Sequence, residues 1–147
     1  MPKFSFVLIG LLIFFSTYAI ASENADLNDS THSEILRKAS AKFIVYNYPR
    51  ALAAGQEALS VAIISANNKD IGLAHGQLGL LYWVDGYYYK SIAHLDSAYL
   101  LFIVLADSLE AASTQHTTAL NYYYMAMNDS AIHYHKKALA IYQEIGN

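Results

Sequence analysis

One spacing dominates this chain: similar residues return every 40 positions with no insertion or deletion. Ala51, Ser91 and Ala131 align, followed by Leu52, Ile92 and Ile132. Ala58, Ala98 and Ala138 come next, then Val61, Leu101 and Ile141, and finally Asn67, Asp107 and Asn147. Read backwards, the same register aligns Ala39, Gly79 and Ala119, and then Phe43, Trp83 and Tyr123. Small residues recur where two helices must approach closely, large apolar ones where a core is filled, and polar ones where a unit closes. A strict period in this range marks a solenoid, because one unit cannot bury its apolar face alone and does so against its neighbours. Such a chain is built to hold something rather than to transform it.

Each unit reads as two helices. In the middle unit Leu73, Leu78, Leu81 and Tyr82 recur at helical spacing. Asp85-Gly86 then interrupts the pattern, and Gly86 is free to take the positive φ that closes a helix. A second helix runs over about 88–106, with Ile92, Leu95, Ala98 and Tyr99 on one face. Pro49 falls where the second helix of the first unit would begin, a position whose missing N–H is no loss. Polar linkers at 67–70 and 107–110 separate the units, and no segment reads as a strand. The expected fold is all-α: an α-solenoid of about three antiparallel helix pairs, over residues 32–67, 68–107 and 108–147.

The beginning of the chain reads differently. Lys3 precedes an apolar stretch over residues 4–20, whose 17 residues sit at the lower limit of about 17–25 for a spanning helix. Ala19-Ile20-Ala21 has the small-x-small form of a cleavage site. Residues 1–21 are therefore expected to be an export signal, or else a membrane tether through residues 4–20. Either way the remainder is exported, to the periplasm or the extracytoplasmic face of a membrane. Residues 22–31 are polar, acidic and without apolar rhythm, as a flexible lead-in is. Cysteine is absent, so the domain must stand on packing without disulfides. The formal net charge is −3 and no basic run exceeds Lys136-Lys137, which speaks against nucleic acid as a partner.

In the middle unit Leu78-Gly79 is followed by Tyr82, by Gly86 at the turn, and by Ser91 and Ala98 on the second helix. In these residues the unit resembles a tetratricopeptide repeat. The resemblance implies that Gly79 and Ala98 sit where the helices cross and that Tyr82 and Leu95 fill the space beside them. The third unit keeps Ala119, Tyr122, Ala131 and Ala138 but has Thr118 for the Leu and Ala126 for the turn Gly. The first keeps Ala39, Ala51 and Ala58 but has Lys42 in place of the Tyr. The period is 40 rather than the usual 34, and the added residues are expected to lengthen the second helix and its linker. A longer repeat of this kind behind an export signal is similar to the extracytoplasmic sensor regions of bacterial histidine kinases and helix-turn-helix regulators. That implies a truncated sensor region of a signalling protein. The alternative is a self-contained scaffold, periplasmic or membrane-anchored, that forms homo-oligomers through its last helix, where Ile132, Leu139 and Tyr142 are expected to lie exposed.

The resemblance further implies that the first helix of each pair lines a concave groove. The positions concerned are Ser33, Leu36, Ser40, Phe43 and Ile44 in the first unit, and Leu73, Gly76, Leu80, Trp83 and Val84 in the second. In the third they are Ser113, His116, Leu120, Tyr123 and Tyr124. This groove is rich in aromatics, almost free of charge, and lacks the basic cluster that clamps a carboxylate. The expected partner is a protein or peptide whose apolar side chains stack on Phe43, Trp83 and Tyr123. The competing reading is that some of these rings only pack between neighbouring first helices.

Six histidines invite a metal reading. His133 and His135 point to different sides of a helix, however, and His75 and His116 occupy non-equivalent positions on successive first helices. No metal or cofactor is expected. The tyrosine runs at 87–89 and 122–124 spread over several helix faces, so neither makes one stacking platform. No nucleophile–base pair, paired carboxylates or phosphate loop stands out, and the chain reads as a binding module with no catalytic residues.

Overall fold

The computed structural model describes residues 31–42 and 47–146. The expected leader of residues 1–21 and nearly all of the expected lead-in, together with Phe43, Ile44 and Asn147, lie outside the described residues. Helix α1 covers residues 31–42. It is followed by α2 (Tyr48–Ile64), α3 (Asn68–Val84), α4 (Tyr88–Val104), α5 (Ser108–Tyr124) and α6 (Asn128–Gly146). From α2 onward each helix packs on the next, and the first helices α3 and α5 also touch. Side-chain bonds tie α1 to α2: Ser33 Oγ donates to the Ala58 carbonyl at 3.0 Å and Ser40 Oγ to the Ala51 carbonyl at 2.8 Å. The chain is an all-α solenoid of antiparallel helix pairs, and among the described residues there is no strand.

The backbone repeats twice as often as the sequence. Helices α2 to α6 begin at 48, 68, 88, 108 and 128, and α2 to α5 each have 17 residues. Three-residue turns separate them, with a left-handed residue at the middle of each: Ala66, Gly86, Ala106 and Ala126, at φ 53°, 79°, 55° and 59°. After α3 the Gly86 N–H donates to the Trp83 carbonyl at 3.0 Å and the Tyr87 N–H to that of Tyr82 at 2.8 Å. Ala106 with Asp107, and Ala126 with Met127, make the same two bonds to Ile103 with Phe102 and to Tyr123 with Tyr122. These are Schellman closures, which satisfy carbonyls that a helix end leaves open. The following helix is then capped from its other side. Asn47 Oδ1 accepts the Arg50 N–H, Asn67 Oδ1 those of Lys69 and Asp70, and Asp107 Oδ1 that of Glu110.

Two expectations are corrected here. The linkers are shorter than the polar stretches suggested, because 68–70 and 108–110 already form the first turns of α3 and α5, and only Asn67 and Asp107 remain outside as caps. The residues beyond the common repeat length are shared between both helices of a unit, since first and second helices are equally long.

The core is built of small residues at the crossings and a few large ones between them. Ala51, Ala58, Ala98, Ala111, Ala119 and Ala138 are buried. Leu78 and Leu81 pack on Ala51 where the first two units meet. Phe102 with Ala98 and Ala111 plays that part between the second and third, with Leu73 and Tyr99 alongside. Ser91 Oγ donates to the Gly79 carbonyl at 2.7 Å and accepts from Asn121 Nδ2 at 2.9 Å. This bond crosses from the second unit into the third. Thr118, where the repeat pattern has an apolar residue, is buried with its hydroxyl donating to the Thr114 carbonyl at 2.9 Å. The hydroxyl is thereby satisfied inside its own helix.

Candidate functional site

First helices α1, α3 and α5 line one cleft of about 230 Å³. Its walls carry Arg37 from α1, Leu73, Gly76, Gln77 and Leu80 from α3, and Glu110, Ser113 and Thr117 from α5. Of the residues assigned to the groove from sequence, Leu73, Gly76, Leu80 and Ser113 meet here. The expectation of a nearly uncharged groove does not hold for this part, because Arg37 and Glu110 both face it. Neither was singled out, since each looks like an ordinary solvated charge on a helix until the helices are placed side by side. Gln77 Nε2 is buried in the wall without a hydrogen-bond partner.

Trp83, Tyr88, Tyr123 and Tyr124 gather at one end of the solenoid, where first helices stop and second helices start. Trp83, Val84, Tyr88 and Tyr124 line a cavity of about 250 Å³. Tyr124 is central to it: its ring meets Trp83 edge-on with centroids 5.8 Å apart and lies nearly parallel to Tyr88 at 6.1 Å. Trp83 is half-buried, with its Nε1 enclosed and unpaired, whereas Tyr124 is 56% exposed. Tyr123 is more exposed still and touches the edge of Tyr124 at 5.6 Å. Leu120 is half-buried on α5 and lines none of these cavities. Phe43 lies outside the described residues. Tyr88 was missed from sequence because it belongs to a second helix; as the first residue of α4, it is brought beside the end of α3 by the tight turn. Beyond it a shallower depression of about 560 Å³ is lined by Gly86, Tyr87, Tyr88, Tyr89, Lys90, Met125 and Met127. Lys90 Nζ stands 5.0 Å from the Tyr87 ring centre, a cation–π distance.

His116 does not join the aromatic end. Its ring lies 5.1 Å from that of His135 on α6. The middle unit has a matching pair between α3 and α4, where His75 Nδ1 and His94 Nδ1 are 3.0 Å apart and the Tyr82 ring stacks on His94 at 5.4 Å. In both pairs the partners are 19 residues apart in sequence, a separation no single-helix pattern contains. Burial holds both His75 and His94 below the ordinary imidazole range, and at His94 the neighbouring His75 ring adds to the lowering. They are neutral at pH 7, with one Nδ1 donating and the other accepting.

The residues of the repeat pattern fall at helix crossings. Gly79 lies against Leu95 and Ser91, Ala98 is fully buried, and Ala119, Ala131 and Ala138 are buried at the corresponding places in the third unit. Tyr82 packs beside Leu78 and Leu81, and Tyr122 stacks on Tyr134 of α6 at 5.1 Å. Gly86 takes the positive φ expected of it, and Ala126 does the same without being glycine. Among the described residues no group of three or more His, Cys, Asp or Glu is arranged to hold a metal ion, and no helix is long and apolar enough to cross a membrane. Compared with curated proteins, the chain shows no match. Residues 70–144, just over half of its length, match the family model described as tetratricopeptide repeat.

Proposed function

Because the chain belongs to the tetratricopeptide-repeat family, whose repeats mark protein–protein interaction modules, we propose that it binds a peptide segment of a partner along its first helices. An apolar side chain of that segment occupies the aromatic end. The observation that carries this reading is the open cavity between Trp83 and Tyr124, which come from adjacent first helices, with Tyr88 as its third wall. Its volume of about 250 Å³ suits one large apolar or aromatic side chain, and such anchors supply most of the affinity of peptide complexes. The neighbouring cleft adds a basic and an acidic contact through Arg37 and Glu110. It also adds a donor, the unpaired Gln77 Nε2, while the unpaired Trp83 Nε1 supplies one at the aromatic end. An unpaired buried donor costs about 1–3 kcal/mol, which a peptide carbonyl would offset once the side chain turns toward it.

In this reading the module is exported behind the leader of residues 1–21 and serves as the sensing half of a bacterial signalling protein. The sequence of residues 4–21 and the repeat length support that setting. A second reading is self-association through α6. It is favoured by Ile132, Leu139 and Tyr142, which are all exposed on that helix, while the residues 40 positions earlier, Ile92, Tyr99 and Phe102, are half-buried or buried on α4. Self-association predicts a particle mass that rises with concentration in light scattering and ceases to do so in Leu139→Glu. A constant monomer mass would remove it.

The test of peptide binding is selection of displayed peptides on the immobilised full chain, counter-screened on Trp83→Ala. The expected result is a family of peptides with a common large apolar residue, binding at least tenfold more weakly to Trp83→Ala while its helical circular dichroism is intact. Peptides that bind both proteins equally would place the contact elsewhere.

A further inference from the structure

We propose that His75 and His94 form a two-imidazole clip for a divalent transition-metal ion of the copper(II) or nickel(II) kind. The two Nδ1 atoms face each other at 3.0 Å across the α3–α4 pair. Two nitrogens held about 2.0–2.1 Å from one ion are about 2.9 Å apart at a right angle and about 3.4 Å apart at a tetrahedral angle. The observed separation therefore fits neighbouring corners of a tetragonal site, the geometry of copper(II) and nickel(II) with nitrogen ligands, better than tetrahedral zinc.

Three features make the clip ready for an ion. The rings come from two helices whose relative position is fixed by the Gly86 turn and by the Ser91–Gly79 bond, so little order is lost on binding. The Tyr82 ring stacked on His94 sets the plane of that imidazole. Both rings are neutral, as metal ligands must be. In the empty clip one Nδ1 carries the shared proton. When an ion enters, that ring moves its proton to Nε2, both Nδ1 lone pairs point at the metal, and no proton is released. Water fills the remaining positions, since no third His, Cys, Asp or Glu among the described residues joins the two. The His116–His135 pair has the same 19-residue separation and a like ring distance of 5.1 Å, but only the His75–His94 pair is joined nitrogen to nitrogen.

The experiment is calorimetric titration of the full chain with NiCl2 near neutral pH, for the wild type and for His75→Gln, His94→Gln and His133→Gln. The clip predicts a saturable site in the wild type and in His133→Gln, weakened at least tenfold in each of the other two. It also predicts a melting temperature that rises by several degrees when Ni²⁺ is about a hundredfold above its Kd. Absence of saturable binding in the wild type, or retention in either His75→Gln or His94→Gln, would overturn it. Electron paramagnetic resonance of the wild type with one equivalent of Cu²⁺ decides the matter if a variant does not fold. Coupling to two imidazole nitrogens is expected, and coupling to fewer contradicts the clip.

Discussion

Gly76 and Gly79 lie three residues apart on α3 and are glycine for opposite reasons. A Cβ on Gly79 would stand 2.7 Å from both Cγ and Cδ2 of Leu95, whereas one on Gly76 would meet nothing within 4 Å. Gly79→Ala gains helix propensity of about 1 kcal/mol but overpacks a crossing, at a cost of about 1–3 kcal/mol. A net loss of about 1 kcal/mol is expected in urea unfolding. Gly76→Ala should instead gain about 0.5–1 kcal/mol; a variant pair that ranks the other way would show that the helices cross elsewhere. The turn residues teach a related lesson. Ala66, Ala106 and Ala126 hold the left-handed conformation beside Gly86, at about 1–2 kcal/mol each for a residue with a Cβ. Replacing Ala126 by glycine should therefore raise stability by up to about 1 kcal/mol once the added freedom of the unfolded chain is discounted. From sequence, Ala126 looked like a departure from the repeat. It is the same turn at a higher conformational cost, and nothing in the letter alanine announces a positive φ.

At the scale of helices, what joins the second unit to the third is partly polar. Ser91 Oγ accepts from Asn121 Nδ2 and donates to the Gly79 carbonyl, while Ala51 and Ala131 stand at the equivalent places in the other units. A double-mutant cycle on Ser91→Ala and Asn121→Leu should give a coupling of about 1 kcal/mol; strictly additive effects would mean that the bond contributes nothing. Asn121 was not read as a contact from sequence because a polar residue in a helix is by default a surface residue. The histidine pairs escaped for a different reason: their partners lie on separate helices, so the helical periodicity that located the apolar faces is blind to them. They also make stability depend on pH. His75, His94 and His135 all titrate lower when folded, chiefly through burial, so below the ordinary imidazole range the unfolded chain binds more protons than the folded one. Stability is then fully present above about pH 6.5 and is lost as pH falls from there through the depressed folded values. Melting temperatures recorded between about pH 8 and 5 should fall on the acid side, and His94→Gln should reduce the slope. A flat profile would contradict the buried, neutral pair.

For the whole molecule, the 40-residue period was enough to give the class of fold, the pairing of helices and the small residues at their crossings. It was legible because a solenoid packs only neighbour on neighbour, so its contacts reproduce the spacing of its sequence. The candidate site was legible in its first-helix part, since Trp83, Val84 and Tyr124 come together. Tyr88 needed the turn geometry, and Arg37 and Glu110 needed three helices side by side. Binding at the aromatic end is the central claim, and the chain carries its own reporter for it, because Trp83 is its sole tryptophan. The direct measurement is Trp83 emission during titration with a peptide selected on the full chain. Filling the cavity beside Tyr88 and Tyr124 should shift the emission to shorter wavelength and saturate at the same Kd as calorimetry, with Tyr124→Ala weakening both alike. A peptide that binds in the calorimeter while leaving the emission unchanged would contradict the account.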